Sequence, residues 1–246
     1  MNKALKIALV GYGKMGKEIE KIIVERGHTV AAIINSKNNI NDLLKVQCDA
    51  VIEFTQPDVA KTNIEFCVQH QIPIVVGTTG WYQDFERIKQ LTVQHNAALF
   101  TATNYSIGVN IFFHINTRLA KIMNRYKEYQ VTIEEIHHKQ KKDAPSGTAI
   151  TTAEQILSQL DSHKKWISIE EGNYHDVSKD ELPIYSFRED NVPGFHKVKW
   201  ESDIDEIELS HNAHNRRGFA LGSVLAAEWL VDKQGVFDMN DMLGFD

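Results

Sequence analysis

The chain has 246 residues, of which 42% are hydrophobic, and a formal net charge of −6 at pH 7. This length can bury a substantial core in one large or two small domains. The negative charge argues against a nucleic-acid or membrane-surface partner, because both favour a basic protein surface. There is no run of about 18 apolar residues, so we expect no membrane span. The two cysteines, Cys48 and Cys67, lack a metal-like spacing, and the N-terminus lacks signal-peptide features; we therefore expect reduced thiols and a cytoplasmic location.

The first hundred residues alternate short apolar runs with segments of helical periodicity. This alternation predicts strands followed by helices, as in a parallel, doubly wound sheet. The polar segment 35–41 is predicted to be a loop. The predicted strands are 5–10, 29–34, 50–54, 72–76 and 98–102, and the predicted helices are 14–25, 58–70 and 82–95.

After residue 106 the rhythm changes to longer helices and runs of strands, which indicates a separate α+β domain. Predicted here are helices 109–125, 148–160 and 218–231 and strands 130–136, 166–169, 184–188, 196–200 and 207–211. The predicted fold class is α/β, with a Rossmann-like doubly wound parallel sheet plus a second α+β domain with an open mixed sheet. The expected dinucleotide-binding domain comprises 1–106 and 216–246, and the expected substrate-binding domain is 107–215.

A glycine-rich turn, Gly11-Tyr12-Gly13-Lys14-Met15-Gly16, follows the first predicted strand and opens the first predicted helix. In a dinucleotide fingerprint, Gly11 allows the tight turn, Gly13 lets the pyrophosphate approach, and Gly16 lets the helix pack against the strand. The pyrophosphate would lie against the first amides of the helix. The alternative is a turn that only joins strand to helix, but the strand–turn–helix context favours cofactor binding.

The second predicted strand ends at Asn35-Ser36-Lys37, where a dinucleotide-binding fold usually carries an acidic residue for the adenosine ribose. Without that carboxylate a 2′-phosphate is not repelled, and Ser36 and Lys37 offer it a hydroxyl and a positive charge. The sequence therefore predicts that NADPH serves at least as well as NADH.

Two further polar turns follow the fourth and fifth predicted strands. They consist of Gly77-Thr78-Thr79 and of Thr103-Asn104-Tyr105-Ser106. Ligands bind at the carboxyl ends of strands in open α/β sheets, so both turns are candidates for contacting the cofactor. Ordinary turn chemistry is the alternative, because these residue types all form turns.

A second candidate site combines two imidazoles, several lysines and the start of a helix. If the preceding strand is extended, His137 and His138 point to opposite faces, so one can transfer protons while the other binds substrate or supports the site. Lys141 could reach the same pocket across a turn. Ser146 is a plausible N-cap, after which the amides of Gly147 and Thr148 would face a carboxylate. The segment is Glu135-Ile136-His137-His138-Lys139-Gln140-Lys141-Lys142-Asp143-Ala144-Pro145-Ser146-Gly147-Thr148-Ala149.

The alternatives for this segment are half-exposed polar histidines, a solvated run of lysines and a simple turn. A metal site is disfavoured, because neighbouring side chains on opposite faces are poor joint ligands and the lysines repel a cation. Farther on, one arginine of the pair Arg216-Arg217 could grip a substrate carboxylate, or both could be surface residues. We expect the glycine-rich turn and the histidine-bearing segment to converge on one crevice.

The segment 135–149 closely resembles the signature of the 4-hydroxy-tetrahydrodipicolinate reductase family, formerly called dihydrodipicolinate reductase. The glycine-rich turn, Gly77-Thr78-Thr79, the turn 103–106 and Phe219-Ala220-x-Gly222 fall in the family's order, so the resemblance covers nearly the whole chain. It implies NAD(P)H-dependent hydride transfer to C4 of a small cyclic dicarboxylate, with loss of water, in lysine biosynthesis. It also implies a homotetramer joined through the sheet of the second domain.

By this resemblance, His137 and Lys141 are catalytic proton donors, and His138, Ser146, Gly147, Thr148 and Arg216 bind substrate. The cofactor, NADPH or NADH, is implied to contact residues 11–16, 77–79 and 103–106. The turn 35–37 is added to these on its own chemistry, and no metal is expected. Two rival functions remain open from the residues alone. One is a nucleotide-sensing regulatory protein, and the other is a different imine or carbonyl reductase for a dicarboxylate.

Overall fold

The computed structural model describes residues 3–170, 172, 176–215 and 217–245. The chain forms two compact units, Met1–Ser106 with Arg217–Asp246 and Ile107–Arg216. No helix within the described ranges has both the length and the hydrophobicity of a membrane span. The elements in chain order are β1 (Lys6–Val10), α1 (Lys14–Glu25), β2 (Thr29–Ile34), β3 (Ala50–Glu53), α2 (Pro57–Gln69), β4 (Ile74–Val76), α3 (Phe85–Gln94), β5 (Ala98–Thr101), α4 (Ile107–Met123), β6 (Gln130–His138), α5 (Gly147–Leu157), β7 (Lys165–Glu170), β8 (Glu181–Glu189), β9 (Gly194–Glu201), β10 (Glu206–Ala213), α6 (Arg217–Leu230), β11 (Gly235–Phe237) and α7 (Met239–Leu243).

The first unit is built on a six-stranded sheet in which all neighbouring strands are parallel. The strand order is β11-β5-β4-β3-β1-β2, so the chain leaves β1 in one direction and then returns past it in the other. Strands β3 and β4 are buried along their whole length, as expected for strands covered on both faces. The predicted Rossmann-like doubly wound parallel sheet is confirmed.

Helix α1 forms because its apolar residues recur at helical intervals. Gly16, Ile19, Ile22 and Ile23 are buried along one face. The helix stops just before Gly27, whose φ of +81° is readily adopted only by glycine. At its other end, a three-residue turn joins α1 directly to the carboxyl end of β1.

The second unit contains a five-stranded mixed sheet with the order β10-β9-β6-β8-β7. Strand β6 is the central strand in this order. It runs parallel to β8 on one side and antiparallel to β9 on the other. Its buried residues Val131 and Ile133 pack in one core with Ala149 and Ile156 of α5. The predicted second α+β domain with an open mixed sheet is confirmed.

Several predicted boundaries differ from the structure for local reasons. Segment 35–41 was predicted to be a loop throughout, but Asn39 caps a 3-10 helix, Ile40–Lys45. The helix predicted at 82–95 begins as a separate 3-10 turn, Tyr82–Asp84. Elements β11 and α7 were not predicted, because segments of three and five residues are too short to show a period.

The glycines of α6 allow a test of how closely that helix packs on its surroundings. A Cβ at Gly222 would lie 1.7 Å from the carbonyl oxygen of Tyr105, so we expect Gly222→Ala to lower the free energy of unfolding by about 1–3 kcal/mol. Gly218→Ala is the matched control, because its Cβ would meet Ser106 Oγ at 3.4 Å, an ordinary contact. Urea unfolding of both variants measures the difference, and equal stabilities would contradict this packing.

Candidate active site

A cavity of about 380 Å³ opens at the carboxyl ends of the central strands of the first unit. Parallel strands end at one edge of their sheet, which is where ligands bind in open α/β folds. Of the predicted cofactor-binding residues, the structure brings seven together around this cavity. The lining residues are Gly13, Lys14, Met15, Gly16, Phe54, Thr55, Pro57, Gly77, Thr78 and Thr79.

The glycine-rich turn has the backbone geometry that close approach of a phosphate requires. Gly11 has a φ of +96°, and a Cβ there would lie 1.9 Å from the carbonyl oxygen of Phe54. A Cβ at Gly16 would lie 2.4 Å from the carbonyl oxygen of Gly11, whereas one at Gly13 would meet nothing within 4 Å. Gly13 precedes α1 without a side-chain cap, so the first amides of the helix face open space. These features fit a bound pyrophosphate.

The turn 35–37 is connected to the glycine-rich turn through the backbone. The amide of Gly11 donates to the carbonyl oxygen of Ile34 at 2.8 Å, which places the end of β2 beside that turn. Asn35 Oδ1 accepts a hydrogen bond from the amide of Lys37 at 2.9 Å, so its side chain is used to shape the turn. Ser36 and Lys37 are exposed. Their predicted role toward a 2′-phosphate stays a prediction.

The turn 103–106 does not line the cavity. The Tyr105 side chain is only 2% exposed, and its hydroxyl donates to the carbonyl oxygen of Val76 at 2.7 Å. Asn104 Oδ1 accepts from the amide of Ser106 at 2.9 Å, and Thr103 is exposed. Tyr105 thus supports the core through its side chain, and a cofactor contact of this turn stays a prediction.

Three lining residues, Phe54, Thr55 and Pro57, were not predicted to belong to the site. Their signal was their position at the carboxyl end of β3, on the same sheet edge as the two predicted turns. Directly before them lies Glu53, which is fully buried and accepts a hydrogen bond from the Thr55 hydroxyl. Burial raises the pKa of Glu53, while its hydrogen bonds to neighbouring groups act in the opposite direction.

In the second unit, the buried face of β6 changes from apolar to polar toward its carboxyl end. Burial alternates along the strand, so Glu135 and His137 lie on the same face as the core residue Ile133. His138 lies on the opposite face and is half-buried. The two adjacent histidines therefore occupy different environments.

Glu135 is completely buried and accepts hydrogen bonds from two other elements. The amide of Ser146 donates to both carboxylate oxygens, at 3.1 and 3.0 Å, and the Ser186 hydroxyl donates to Oε1 at 2.9 Å. Arg188 Nη1 lies 3.5 Å from Oε1 and partly balances the charge. The carboxylate thus fixes the end of β6 to the start of α5.

His137 is a buried, neutral imidazole in this environment. Its Nδ1 lies 3.6 Å from Glu135 Oε2, and its ring meets that of His196 edge-on, with centroids 5.1 Å apart. Burial lowers the pKa of His137 to about 4, and the positive charges of Lys141 and Arg188 act in the same direction against the opposing effect of Glu135. Burial likewise lowers the pKa of His196 to about 3.

The loop between β6 and α5 carries Lys141. Its Nζ donates to both carboxylate oxygens of Asp143, at 2.9 and 2.8 Å, and its side chain is 21% exposed. Arg188 Nη2 donates to the carbonyl oxygen of Asp143 at 2.7 Å, which fastens this loop to β8. Lys141 is therefore a held ammonium group beside the buried histidines.

Helix α5 begins as predicted, with Ser146 as its N-cap. Ser146 Oγ accepts from the amide of Ala149 at 3.2 Å and is 3.1 Å from His196 Nε2. A Cβ at Gly147 would meet nothing within 4 Å, so the first amides of α5, those of Gly147 and Thr148, lie beside open space. Such a terminus suits a carboxylate.

Of the two adjacent arginines at 216 and 217, only Arg217 is among the described residues. Arg216 falls outside the described residues, so its predicted role stays a prediction. Arg217, its competitor, begins α6 and forms ion pairs with Glu25 at 2.5 Å and with Glu18 at 3.8 Å. These pairs give Arg217 a structural role in the first unit.

Three site residues were missed in the sequence: Glu135, Arg188 and His196. Only Glu135 had a local signal, because the strand alternation places it on the same face as His137. Glu135, His137 and His196 offer ligand atoms within 4.8 Å of one another. However, the carboxylate already accepts three hydrogen bonds, and Arg188 opposes a cation. The expectation of no metal stays a prediction.

Comparison with known proteins points to one family along the whole chain. Residues 5–105 match the family model described as dihydrodipicolinate reductase, N-terminus, and residues 108–243 match that described as its C-terminus. A 4-hydroxy-tetrahydrodipicolinate reductase of Christiangramia forsetii is 46% identical over 239 residues, which cover 97% of this chain and 98% of the relative. One from Rickettsia rickettsii is 35% identical over 243 residues, with coverage of 97% and 98%.

A solved structure shares the fold. The dipicolinate-bound dihydrodipicolinate reductase from Paenisporosarcina sp. TG-14 matches with a TM-score of 0.80 at 22% identity, covering 97% of this chain and 99% of that one. At this identity the likeness concerns the fold alone.

The depressed pKa values of the buried histidines predict a pH-dependent stability. Unfolded histidine titrates near pH 6.5, whereas His137 and His196 titrate at about 4 and about 3 when folded. Their contribution to the free energy of unfolding is fully present above about pH 6.5. It is lost as the pH falls, because the histidines of the unfolded state bind protons at a higher pH than those of the folded state.

We therefore expect the free energy of unfolding to fall as the pH drops from about 6.5 to about 4. His196→Gln should reduce this slope by up to roughly 1.4 kcal/mol per pH unit. Urea unfolding of both proteins across this range measures it. Parallel curves for wild type and variant would contradict the assignment of a buried neutral histidine.

Proposed function

Because the chain belongs to the dihydrodipicolinate reductase family, we propose that the residues described above carry out that family's reaction. The enzyme reduces 4-hydroxy-tetrahydrodipicolinate to tetrahydrodipicolinate in lysine biosynthesis; the reaction uses NAD(P)H and a proton and releases water. The observation that carries the assignment of roles is the cluster of His137, Lys141 and the Ser146-capped start of α5 within one short segment of the second unit.

A reductase of this family uses a nicotinamide cofactor, and the first unit fits one. Gly13 and the first amides of α1 would hold the pyrophosphate, and Gly77-Thr78-Thr79 would contact the rest of the dinucleotide from the end of β4. When bound, the cofactor supplies the hydride that C4 of the substrate receives. The cavity and the space beside Gly13 support this assignment.

The cofactor preference follows from the turn after β2. Asn35 replaces the acidic residue that would repel a 2′-phosphate, while Ser36 and Lys37 offer a hydroxyl and an ammonium group. The enzyme therefore uses NADPH at least as well as NADH.

The second unit binds the dicarboxylate. The amides of Gly147 and Thr148, with Ser146, hold one carboxylate at the start of α5, where the helix dipole favours negative charge. His138 contacts substrate from its own face of β6, and Arg216 grips a carboxylate. The dipicolinate bound to the Paenisporosarcina relative supports a ligand of this chemistry.

Proton transfer uses the different charge states of His137 and Lys141. With its pKa near 4, His137 is neutral at pH 7 and takes a proton from the ring carbon that lies between C4 and the imine carbon. Lys141 protonates the departing 4-hydroxyl, which leaves as water. After C4 has received its hydride, the His137 imidazolium returns the proton to that same carbon, and Lys141 regains its proton from solvent. The overall reaction consumes one hydride and one proton.

The proposal also covers the oligomeric state of the enzyme and its location in the cell. The homotetramer expected from the family would join through the open sheet of the second unit. The cytoplasm is the expected location, because the cofactor and two free cysteines suit a reducing compartment. Size-exclusion chromatography with light scattering tests the tetramer.

The direct test is oxidation of NADPH in the presence of enzymatically generated 4-hydroxy-tetrahydrodipicolinate. Turnover with this substrate, and its loss in a His137→Gln variant, would support the reductase. A nucleotide-sensing protein would bind NADPH without turnover, and a different reductase would turn over only another imine or carbonyl dicarboxylate. Either result would overturn the assignment.

Lys37 provides the test of cofactor preference. We expect Lys37→Ala to reduce kcat/KM for NADPH by about tenfold relative to NADH, because a charge-assisted contact to the 2′-phosphate is lost. Lys21→Ala is the control, since Lys21 forms an ion pair with Glu18 on α1. A strong NADH preference of the wild type, or equal effects on both cofactors, would contradict the role of Lys37.

Lys141 provides the test of proton donation. We expect Lys141→Ala to lower kcat by roughly 10²-fold or more, as loss of a general acid does. Lys139→Ala is a matched control from the same segment, because Lys139 is exposed and donates to Asp190 at 2.8 Å. Steady-state kinetics separate the two variants. Unchanged turnover of Lys141→Ala would reject the proposed role.

A further inference from the structure

The neutral ring of His137 can exist as two tautomers, and only one leaves the outer nitrogen free to accept a proton. Proton removal from substrate by Nε2 requires the hydrogen to be on Nδ1. What fixes the tautomer is the group that faces Nδ1. In this structure that group is the carboxylate of Glu135, with Oε2 3.6 Å from Nδ1.

A carboxylate offers only acceptors, so it distinguishes the tautomers. If Nδ1 lacked its hydrogen, two lone pairs would face each other in a buried site. Nδ1 forms no hydrogen bond within the described residues, so no competing partner sets the tautomer. The separation exceeds hydrogen-bond length, but catalytic hydrogen bonds are often long before substrate binds and shorten in the complex.

Glu135 is itself immobilised, which an orienting group requires. Its oxygens are held by the Ser146 amide and the Ser186 hydroxyl, so the carboxylate cannot turn away from His137. On the other side of the ring, a Cβ at Gly194 would lie 3.2 Å from His137 Nε2. Glycine at this position therefore leaves room around the nitrogen that has to act.

Building on the proposed function, we propose that Glu135 is a positioning residue that holds His137 as the Nδ1–H tautomer and stabilises the imidazolium formed during turnover. Glu135 does not contact the reacting atoms; it acts through His137. The same carboxylate also fixes the Ser146 amide, so it aligns the base with the proposed carboxylate-binding end of α5.

His137 lies near two positive charges that oppose its protonation. Lys141 and Arg188 disfavour the imidazolium, whereas the buried negative charge of Glu135 favours it. Removing that charge should therefore lower the pKa of His137 further. The titratable and charged groups facing the ring are Glu135 from β6, Arg188 from β8, His196 from β9, with His211 of β10 behind it, and Lys141 and Asp143 from the loop.

The decisive variant is Glu135→Gln, which keeps the size of the side chain and can still accept from Ser146. We expect kcat to fall by about 10-fold to 100-fold while KM for substrate changes little, and the acid limb of the kcat profile to move to lower pH. Glu134→Gln is the matched control, because Glu134 lies on the opposite face of β6 from Glu135 and forms an ion pair with Lys197 at 3.6 Å. It should keep kcat within about threefold.

Nitrogen-15 NMR of the histidine rings reports the tautomer without using activity. His137, assigned by the loss of its signal in His137→Gln, should be the Nδ1–H form in the wild type and a mixture of tautomers in Glu135→Gln. A wild-type Nε2–H form would overturn the proposal even if Glu135→Gln failed to fold.

Two further outcomes distinguish a positioning role of Glu135 from a purely structural role and from a failure of the proposed function. A folded Glu135→Gln protein with raised KM, unchanged kcat and an unchanged tautomer would show that Glu135 only supports the loop, and would reject the positioning role. A wild type that does not reduce 4-hydroxy-tetrahydrodipicolinate would refute the proposed function, whereas the NMR result would still decide what sets the tautomer.

Discussion

The bifurcated hydrogen bond from the Ser146 amide to both oxygens of the Glu135 carboxylate connects the end of β6 to the start of α5. A fully buried carboxylate is strongly unfavourable unless its oxygens are satisfied, and here an amide, a hydroxyl and a nearby guanidinium satisfy them. This connection closes the loop that carries Lys141. The positions of the histidine, the lysine and the helix terminus all depend on it.

Burial then decides the chemistry that each group can perform. An exposed histidine pair would be partly charged near neutral pH, whereas His137 and His196 are kept neutral by the loss of water around them. Lys141 lies at the partly exposed edge and donates to both carboxylate oxygens of Asp143. The second unit therefore brings neutral imidazoles and a lysine side chain close together.

The first unit presents backbone instead of side chains at its glycine-rich turn. Its turn brings backbone atoms so close together that a Cβ at Gly11 would approach the Phe54 carbonyl oxygen to 1.9 Å. The result is a set of unobstructed amides at the start of α1. Such a site depends on the absence of side chains, which is why a glycine pattern could be recognised from the sequence.

Much of this architecture was present in the sequence because it depends on short-range periodicity. The spacing of Ile19, Ile22 and Ile23 predicted α1, and the alternation along β6 separated His137 from His138. The segment 135–149 indicated the family, and Ser146 was recognised as an N-cap from its position before the helix. Each of these inferences needed only neighbours within about two helical turns.

Tertiary structure alone decided which distant residues complete the site. Ser186 reaches Glu135 across 51 positions of sequence, and His196 reaches Ser146 across 50. Their approach depends on β8 and β9 flanking β6 in a particular register, which is set by long-range packing of the sheet. The depressed histidine pKa values have the same origin, because desolvation exists only once the chain has closed around the rings.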